Sequence, residues 1–322
     1  TGGVGAIHED EKFGPDYFLP TDAYLETCAA VGAGFFSQRM NQLTCNARYM
    51  DEVERVLYNN VLTGVSLSGD KYTYQNPLNT DKPDRWEWHV CPCCPPMFLK
   101  IMAAMPGYIY AYQGDNVYVN LFIGSEVRVP VGKSNSVRLK QLTSYPWHGA
   151  VSIQVNPDKA STFSMKVRIP GWAQGTENPY DLYQSNLKAP VKLKVNQEDV
   201  LLRIVDGYAE INREWKKGDH IELELPMQPR LITANKAVEN LRGQVALASG
   251  PIIYCFEDAD NPELQTFKLQ AQTPLELSHD SNLLNGVNII KCQGDIPAKA
   301  IPYYAVANRE ESHSYKVWIP QK

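Results

Sequence analysis

The sequence has no apolar run approaching the roughly 18–20 residues of a membrane-spanning helix, and it has no strong excess of charge. Its 31 lysines and arginines nearly balance 36 aspartates and glutamates, leaving a net charge of −5 over 322 residues. Nucleic-acid binding draws its affinity from a basic patch, which this balance does not offer, so neither nucleic acid nor a membrane is an expected partner. Internal repeats and low-complexity tracts are also missing. The opening Thr1-Gly2-Gly3-Val4-Gly5 has neither a Met nor the start of a helix or strand. It reads as the middle of a domain, and any targeting peptide would lie upstream of it.

What is present is ordinary for a globular protein: 43% hydrophobic and 21% charged residues. A chain of 322 residues has room for two or three domains and buries enough core to need no staples. Six Trp and eighteen Tyr suit sugar-binding clefts, but also β-sandwich cores, and the cores claim most of them.

The pattern divides the chain. Up to about residue 112 it is helical. A first helix is expected from Asp22 to about Leu43, and a second carries Met50, Val53, Leu57 and Val61 at i, i+3, i+4 spacing. A third starts at Pro95-Pro96, which places Cys93 and Cys94 at a helix N-terminus. Between them, residues 63–85 read as a long polar loop. After Tyr112 the period becomes two, in segments such as 117–123, 151–155, 163–169, 208–211 and 220–225 with turns between them. That is a β-sandwich pattern. The expected organisation is multidomain α + β: a helical domain over 1–112, a β-sandwich over 113–236 and a second β-rich sandwich region over 237–322.

Seven cysteines are an odd number, and three fall in Cys91-Pro92-Cys93-Cys94-Pro95-Pro96. Adjacent cysteines make a strained disulfide, whereas thiols at a helix N-terminus are favoured as thiolates. Thiolates with a carboxylate, such as Glu26 beside Cys28, suit Zn²⁺. The plain alternative is buried, inert cysteine. In His8-Glu9-Asp10-Glu11, a catalytic acid and a solvated loop look the same, and spacing does not choose between them.

Taken together, these segments resemble the glycoside hydrolases of family 127, founded on bacterial β-L-arabinofuranosidases. The resemblance rests on Glu11-Lys12-Phe13, Asp16-Tyr17-Phe18-Leu19-Pro20, Glu26-Thr27-Cys28-Ala29, Tyr72-Thr73-Tyr74-Gln75-Asn76-Pro77-Leu78 and Cys91-Pro92-Cys93-Cys94-Pro95. Arg168-Ile169-Pro170-Gly171-Trp172, Gly250-Pro251-Ile252-Ile253-Tyr254-Cys255, Pro302-Tyr303-Tyr304 and Ala307-Asn308-Arg309 extend it along the chain. It implies the last part of an (α/α)6 barrel followed by β-sandwich domains. Carried over residue by residue, it implies zinc held by Glu26, Cys28, Cys93 and Cys94, with Cys93 as nucleophile and Glu11 as general acid/base in a partly desolvated site. Cys91 matches a cysteine that is not a ligand.

Tyr72, Tyr74 and Asn76 are candidate cleft-lining, substrate-binding groups. The implied function is a retaining glycoside hydrolase acting on a furanoside-containing oligosaccharide or glycoside. The family's substrate-contacting histidines lie upstream, so His8 and His89 do not stand in for them, and the chain by itself is expected to be inactive. The cytoplasm and the periplasm of a bacterium are equally open. The alternative is a non-catalytic carbohydrate-binding or structural protein with a structural zinc. A last expectation concerns the helices: part of a barrel leaves apolar faces, including the Met50, Val53, Leu57, Val61 stripe, to be covered by an upstream segment or another chain.

Overall fold

The computed structural model describes residues 1–294 and 296–322. Three helices dominate the first hundred residues: α1 (Thr27–Thr44), α2 (Arg48–Val56) and α3 (Cys94–Ala104). Among the described residues, no helix is long and apolar enough to cross a membrane. Three helices are too few to close an (α/α)6 barrel, and most of the remaining regular structure is strand.

α1 begins five residues later than the pattern suggests, because the preceding backbone is committed elsewhere. Leu25 N–H donates to Gly5 O (2.9 Å) and Thr27 N–H to Tyr74 O (3.0 Å). Asn76 Nδ2 donates to Leu25 O (2.9 Å), and Leu25 itself adopts φ 45°. Gly5 sits at φ 89°, a conformation open to glycine at little cost. α2 runs on into a π-helical turn over Leu57–Val61.

The expectation that the Met50, Val53, Leu57, Val61 stripe stands bare is overturned. These residues are 0%, 0%, 4% and 0% exposed, packed with Ala30 and Val31 of α1, Ile101 of α3, Met105 and Leu121. An amphipathic stripe reports that a face is buried, not which segment buries it, and here the chain covers its own. The bare apolar side chains are others: Phe36 and Leu43 on α1 and Leu99 on α3, at 64%, 79% and 66% exposure.

Next come two sheets packed face to face. One holds Ser125–Val131, Asn135–Thr143, Ala150–Pro157, Asp219–Glu224, Lys192–Val195 and Glu198–Asp199. The other holds Tyr110–Gln113, Asn116–Val119, Ser161–Arg168, Tyr208–Trp215 and Ile204–Val205. Along Asn135–Thr143, Val137 and Leu139 point inward while Arg138 and Lys140 are exposed. The inward set meets Met165, Val167 and Trp215 of the other sheet in one core.

The centre of the last sheet is buried on both faces. Along Gln244–Ser249, Ala246 and Ala248 enter one apolar cluster and Val245 and Leu247 the other. Arg230–Ala234 pairs with Gln244–Ser249 and so belongs to this sheet. The first strand of the sandwich is Tyr110–Gln113.

The last region also grips the helical part. Asn79–Thr80 pairs with Tyr315–Lys316, Tyr303 Oη–H donates to Asn76 O (2.8 Å) and Tyr315 Oη–H donates to Pro77 O (2.8 Å). Asn308 Oδ1 accepts from Leu67 N–H at 2.8 Å. These contacts fix the loop that carries Tyr72, Tyr74 and Asn76.

Candidate active site

Glu26 is the N-cap of α1, in extended conformation, and Cys28 lies in the first turn. Cys93 is the N-cap of α3 and Cys94 its first residue, with prolines following where a helix tolerates them. Two helix N-termini therefore aim four donors at one point. Their ligand atoms all lie within 4.8 Å of one another.

Cys28 Sγ is 3.5 Å from Cys94 Sγ, and Cys93 Sγ is 3.8 Å from Cys94 Sγ. Glu26 Oε1 lies 3.5 Å from Cys93 Sγ and 3.9 Å from Cys94 Sγ. A tetrahedral zinc with Zn–S of about 2.3 Å requires S···S edges of about 3.8 Å, and slightly shorter S···O edges. The donor set and its spacing fit such an ion. Cys94 is buried and Cys28 and Cys93 half-buried, whereas Cys91 is exposed and outside the group.

Left to themselves, crowded thiols ionise poorly. Burial, then the neighbouring Cys28 thiol, pushes Cys93 up to about 12. Hydrogen bonding to Cys94 and then burial push Cys28 well above the thiol range. A cation among the donors reverses that preference, because coordination favours the thiolate.

Glu11 sits in a three-residue 3-10 turn, Glu9–Glu11, with Asp10 and Glu11 both at φ 54°. Non-glycine residues hold that conformation only where the surroundings impose it. Its Oε1 accepts from Tyr24 Oη–H at 2.8 Å and from Tyr74 Oη–H at 3.3 Å. Tyr74 and Cys93 pack in the same cluster, close enough for each to influence the other's ionisation. One phenol thus bonds the implied acid/base and neighbours the implied nucleophile. The partly desolvated setting expected for Glu11 is not provided by these residues, since Glu11 is exposed.

The three expected substrate contacts separate on inspection. Tyr74 bonds Glu11 and packs in the cluster that holds the thiols. Tyr72 is 5% exposed and packs over the thiols beside Trp86. Asn76 is 0% exposed, and its amide donates to Leu25 O and Thr27 Oγ1, each at 2.9 Å. It sits inside the scaffold, joining the loop to the start of α1, and does not line a cleft. His8 Nε2 is 2.8 Å from Asp22 O, and His89 stacks on Trp86 at 4.4 Å. Sequence reasoning missed Tyr24; its only signal was its place two residues before Glu26.

A helical segment bearing this donor set, followed by two β-rich units, matches the architecture of a class of multidomain glycoside hydrolases. Residues 1–107 match the β-L-arabinofuranosidase GH127 catalytic domain, 116–227 the GH127 middle domain and 229–320 the glycoside hydrolase family 127 C-terminal domain. The chain belongs to glycoside hydrolase family 127. It is 31% identical over 361 residues to a non-reducing end β-L-arabinofuranosidase of Bifidobacterium longum subsp. longum, covering 96% of this chain and 51% of that protein. A solved GH127 β-arabinofuranosidase superposes with a TM-score of 0.94 at 36% identity, covering 100% of this chain and 53% of that one. A GH127 β-L-arabinofuranosidase from Geobacillus stearothermophilus T6 gives 0.91 at 35% identity, covering 100% and 54%. The chain spans about half the length of these relatives.

Proposed function

We propose a retaining glycoside hydrolase, β-L-arabinofuranosidase-like, with zinc held by Glu26, Cys28, Cys93 and Cys94. The observation that carries this reading is the convergence of those four donors in the cluster that holds Tyr74, whose phenol donates to Glu11. Relatives named as β-L-arabinofuranosidases support the furanoside as substrate class.

Bound zinc would keep the thiols ionised near neutral pH and fix the direction of Cys93. In the first step the Cys93 sulfur attacks the anomeric carbon. The C–S bond forms as the glycosidic C–O bond breaks, and Glu11 donates its proton to the leaving oxygen. In the second step water attacks the same carbon, the C–S bond breaks, and Glu11 takes the water proton. Two inversions give net retention, as with a carboxylate nucleophile. The choice of Cys93 among the three thiols rests on the family resemblance, and its packing in the cluster that holds Tyr74 is consistent with it. Tyr74 is proposed to face the sugar, Tyr72 to wall the thiols, and Asn76 to position the loop.

We also propose that α1–α3 are the last part of an (α/α)6 barrel, whose other helices cover Phe36, Leu43 and Leu99. On this reading activity resides in the full-length protein and not in these residues alone. Divisions near residues 109 and 228 suit the strand pairing better than 112 and 236.

A closed four-donor zinc site is often only structural, and a purely structural site needs no free carboxylic acid one phenol away. The metal assignment has its own test. Untagged protein should carry one zinc per chain, Cys94→Ser should lose most of it, and Glu11→Gln should keep it. Zinc-free protein, or a Cys93–Cys94 disulfide in a reduced preparation, would contradict the assignment.

A further inference from the structure

We infer that Tyr24 is a positioning residue for the acid/base: its phenol, together with that of Tyr74, occupies Glu11 Oε1 and leaves Oε2 as the oxygen that carries the transferable proton. The inference rests on the assignment of Glu11 as acid/base. Its geometric basis is that both phenols donate to the same oxygen, at 2.8 and 3.3 Å. Among the described residues, no hydrogen bond goes to Oε2.

The chemistry follows from what a carboxyl group can accept. A protonated carboxyl has one carbonyl oxygen with two acceptor positions and one hydroxyl oxygen. With two phenols on Oε1, that oxygen is the carbonyl, and a proton on it would displace a donor. The proton therefore resides on Oε2. When Oε2 gives up its proton to the leaving oxygen, both phenol bonds stay in place. They strengthen as charge develops, because a bond to a carboxylate is stronger than one to a neutral acid. No donor has to turn during either proton transfer, which is the preorganisation that a charge-developing step favours.

Tyr24 suits this task better than the turn that bears Glu11. The turn buries none of its own residues and holds Asp10 and Glu11 in the left-handed region. Tyr24 is 6% exposed, with its carbonyl accepting from Asn76 N–H at 3.2 Å. Its ring is met edge-on by His8 at 5.4 Å and by Tyr74 at 6.2 Å. His8 in turn ties the segment before Glu11 to Asp22 O at 2.8 Å. A rigid wall thus holds an exposed carboxylate from one side.

The test is Tyr24→Phe in the full-length protein, assayed on β-L-arabinofuranosides whose leaving groups range from nitrophenol to simple alcohols. The substitution removes one oxygen and keeps the ring packed on His8 and Tyr74. General acid catalysis is worth about 10²–10⁴-fold, and losing one of two positioning donors should forfeit part of it. The expected result, read in kcat/KM, which reports the first step, is a fall of about 10-fold or more on alcohol leaving groups with little change on nitrophenol, and full metal content. Glu11→Gln should show a steeper dependence on leaving group, and Tyr24→Phe added to it should cost nothing further. An equal loss across all leaving groups, or a further loss in the double variant, would overturn the positioning role while leaving the Glu11 assignment intact. A Glu11→Gln profile that is flat across the series would instead remove the acid/base assignment, and this inference with it.

Discussion

Cys93→Ser and Glu11→Gln are each expected to stop turnover of β-L-arabinofuranosides by the full-length protein, for different reasons. Serine at position 93 removes the thiolate, leaving an alcohol that stays protonated at neutral pH and attacks poorly. It also weakens the metal site, since three sulfurs become two. Glutamine at position 11 cannot give or take a proton, so alcohol leaving groups should lose roughly 10²–10⁴-fold. Its amide still fits beside Tyr24 and Tyr74, and the four donors lie elsewhere, so the metal should stay. Steady-state rates alongside metal analysis separate the two. Parent-like activity of Glu11→Gln on an alkyl furanoside would sink the acid/base role, and parent-like activity of Cys93→Ser would sink the nucleophile.

The second large effect concerns stability. Arg168 is 0% exposed, and its guanidinium holds the helical region to the sandwich. It donates to Asp51 Oδ1 at 2.7 Å, to both oxygens of Glu54, and to Asn120 O at 2.5 Å. Tyr145 Oη–H also donates to Glu54 (2.8 Å), as does Trp172 Nε1–H (3.3 Å), while Gly171 N–H donates to Asp51 (3.1 Å). Two carboxylates thus share one guanidinium. Burial pushes Asp51 up to about 6 despite the pull of Arg168. Arg168→Met strands the buried Glu54 charge, and breaking a buried pair from one side costs about 3–5 kcal/mol. Urea unfolding, followed by a probe in the helical region, should register a loss of that size. A loss below about 1 kcal/mol would mean the pair is better solvated than its burial implies.

That network also shows what the sequence conveyed and what it did not. Arg168-Ile169-Pro170-Gly171-Trp172 was visible as a segment resembling the family, yet nothing in it pointed to Asp51 and Glu54, more than a hundred residues earlier. The four proposed metal donors could be picked out because Cys91, Cys93 and Cys94 crowd four positions, and the resemblance joined Glu26 and Cys28 to them. The helix bearing Met50, Val53, Leu57 and Val61 was visible for its period, but its partners were not, because periodicity is local and burial is not. Asn76 looked like a cleft residue from its polar neighbours, whereas its amide was needed by backbone groups just before α1. Tyr24 carried no signal beyond its place two residues before Glu26, since the carboxylate it holds is brought to it by the fold. Ser125–Val131 pairs over its whole length with residues 135–141, though neither strand was among the segments picked out by period.

The central claim is that Cys93 becomes covalently bonded to the sugar. It is tested most directly by mixing the full-length Glu11→Gln protein with a nitrophenyl β-L-arabinofuranoside, quenching in acid and mapping the peptides by mass. An activated leaving group needs no acid for the first step, while the second step lacks its base, so the glycosyl–cysteine species should accumulate. The account predicts the added mass of one anhydropentose on the peptide containing Cys93, and none when Cys93 is also replaced by serine. Hydrolysis with no adduct on any cysteine, or with inversion at the anomeric carbon, would contradict it.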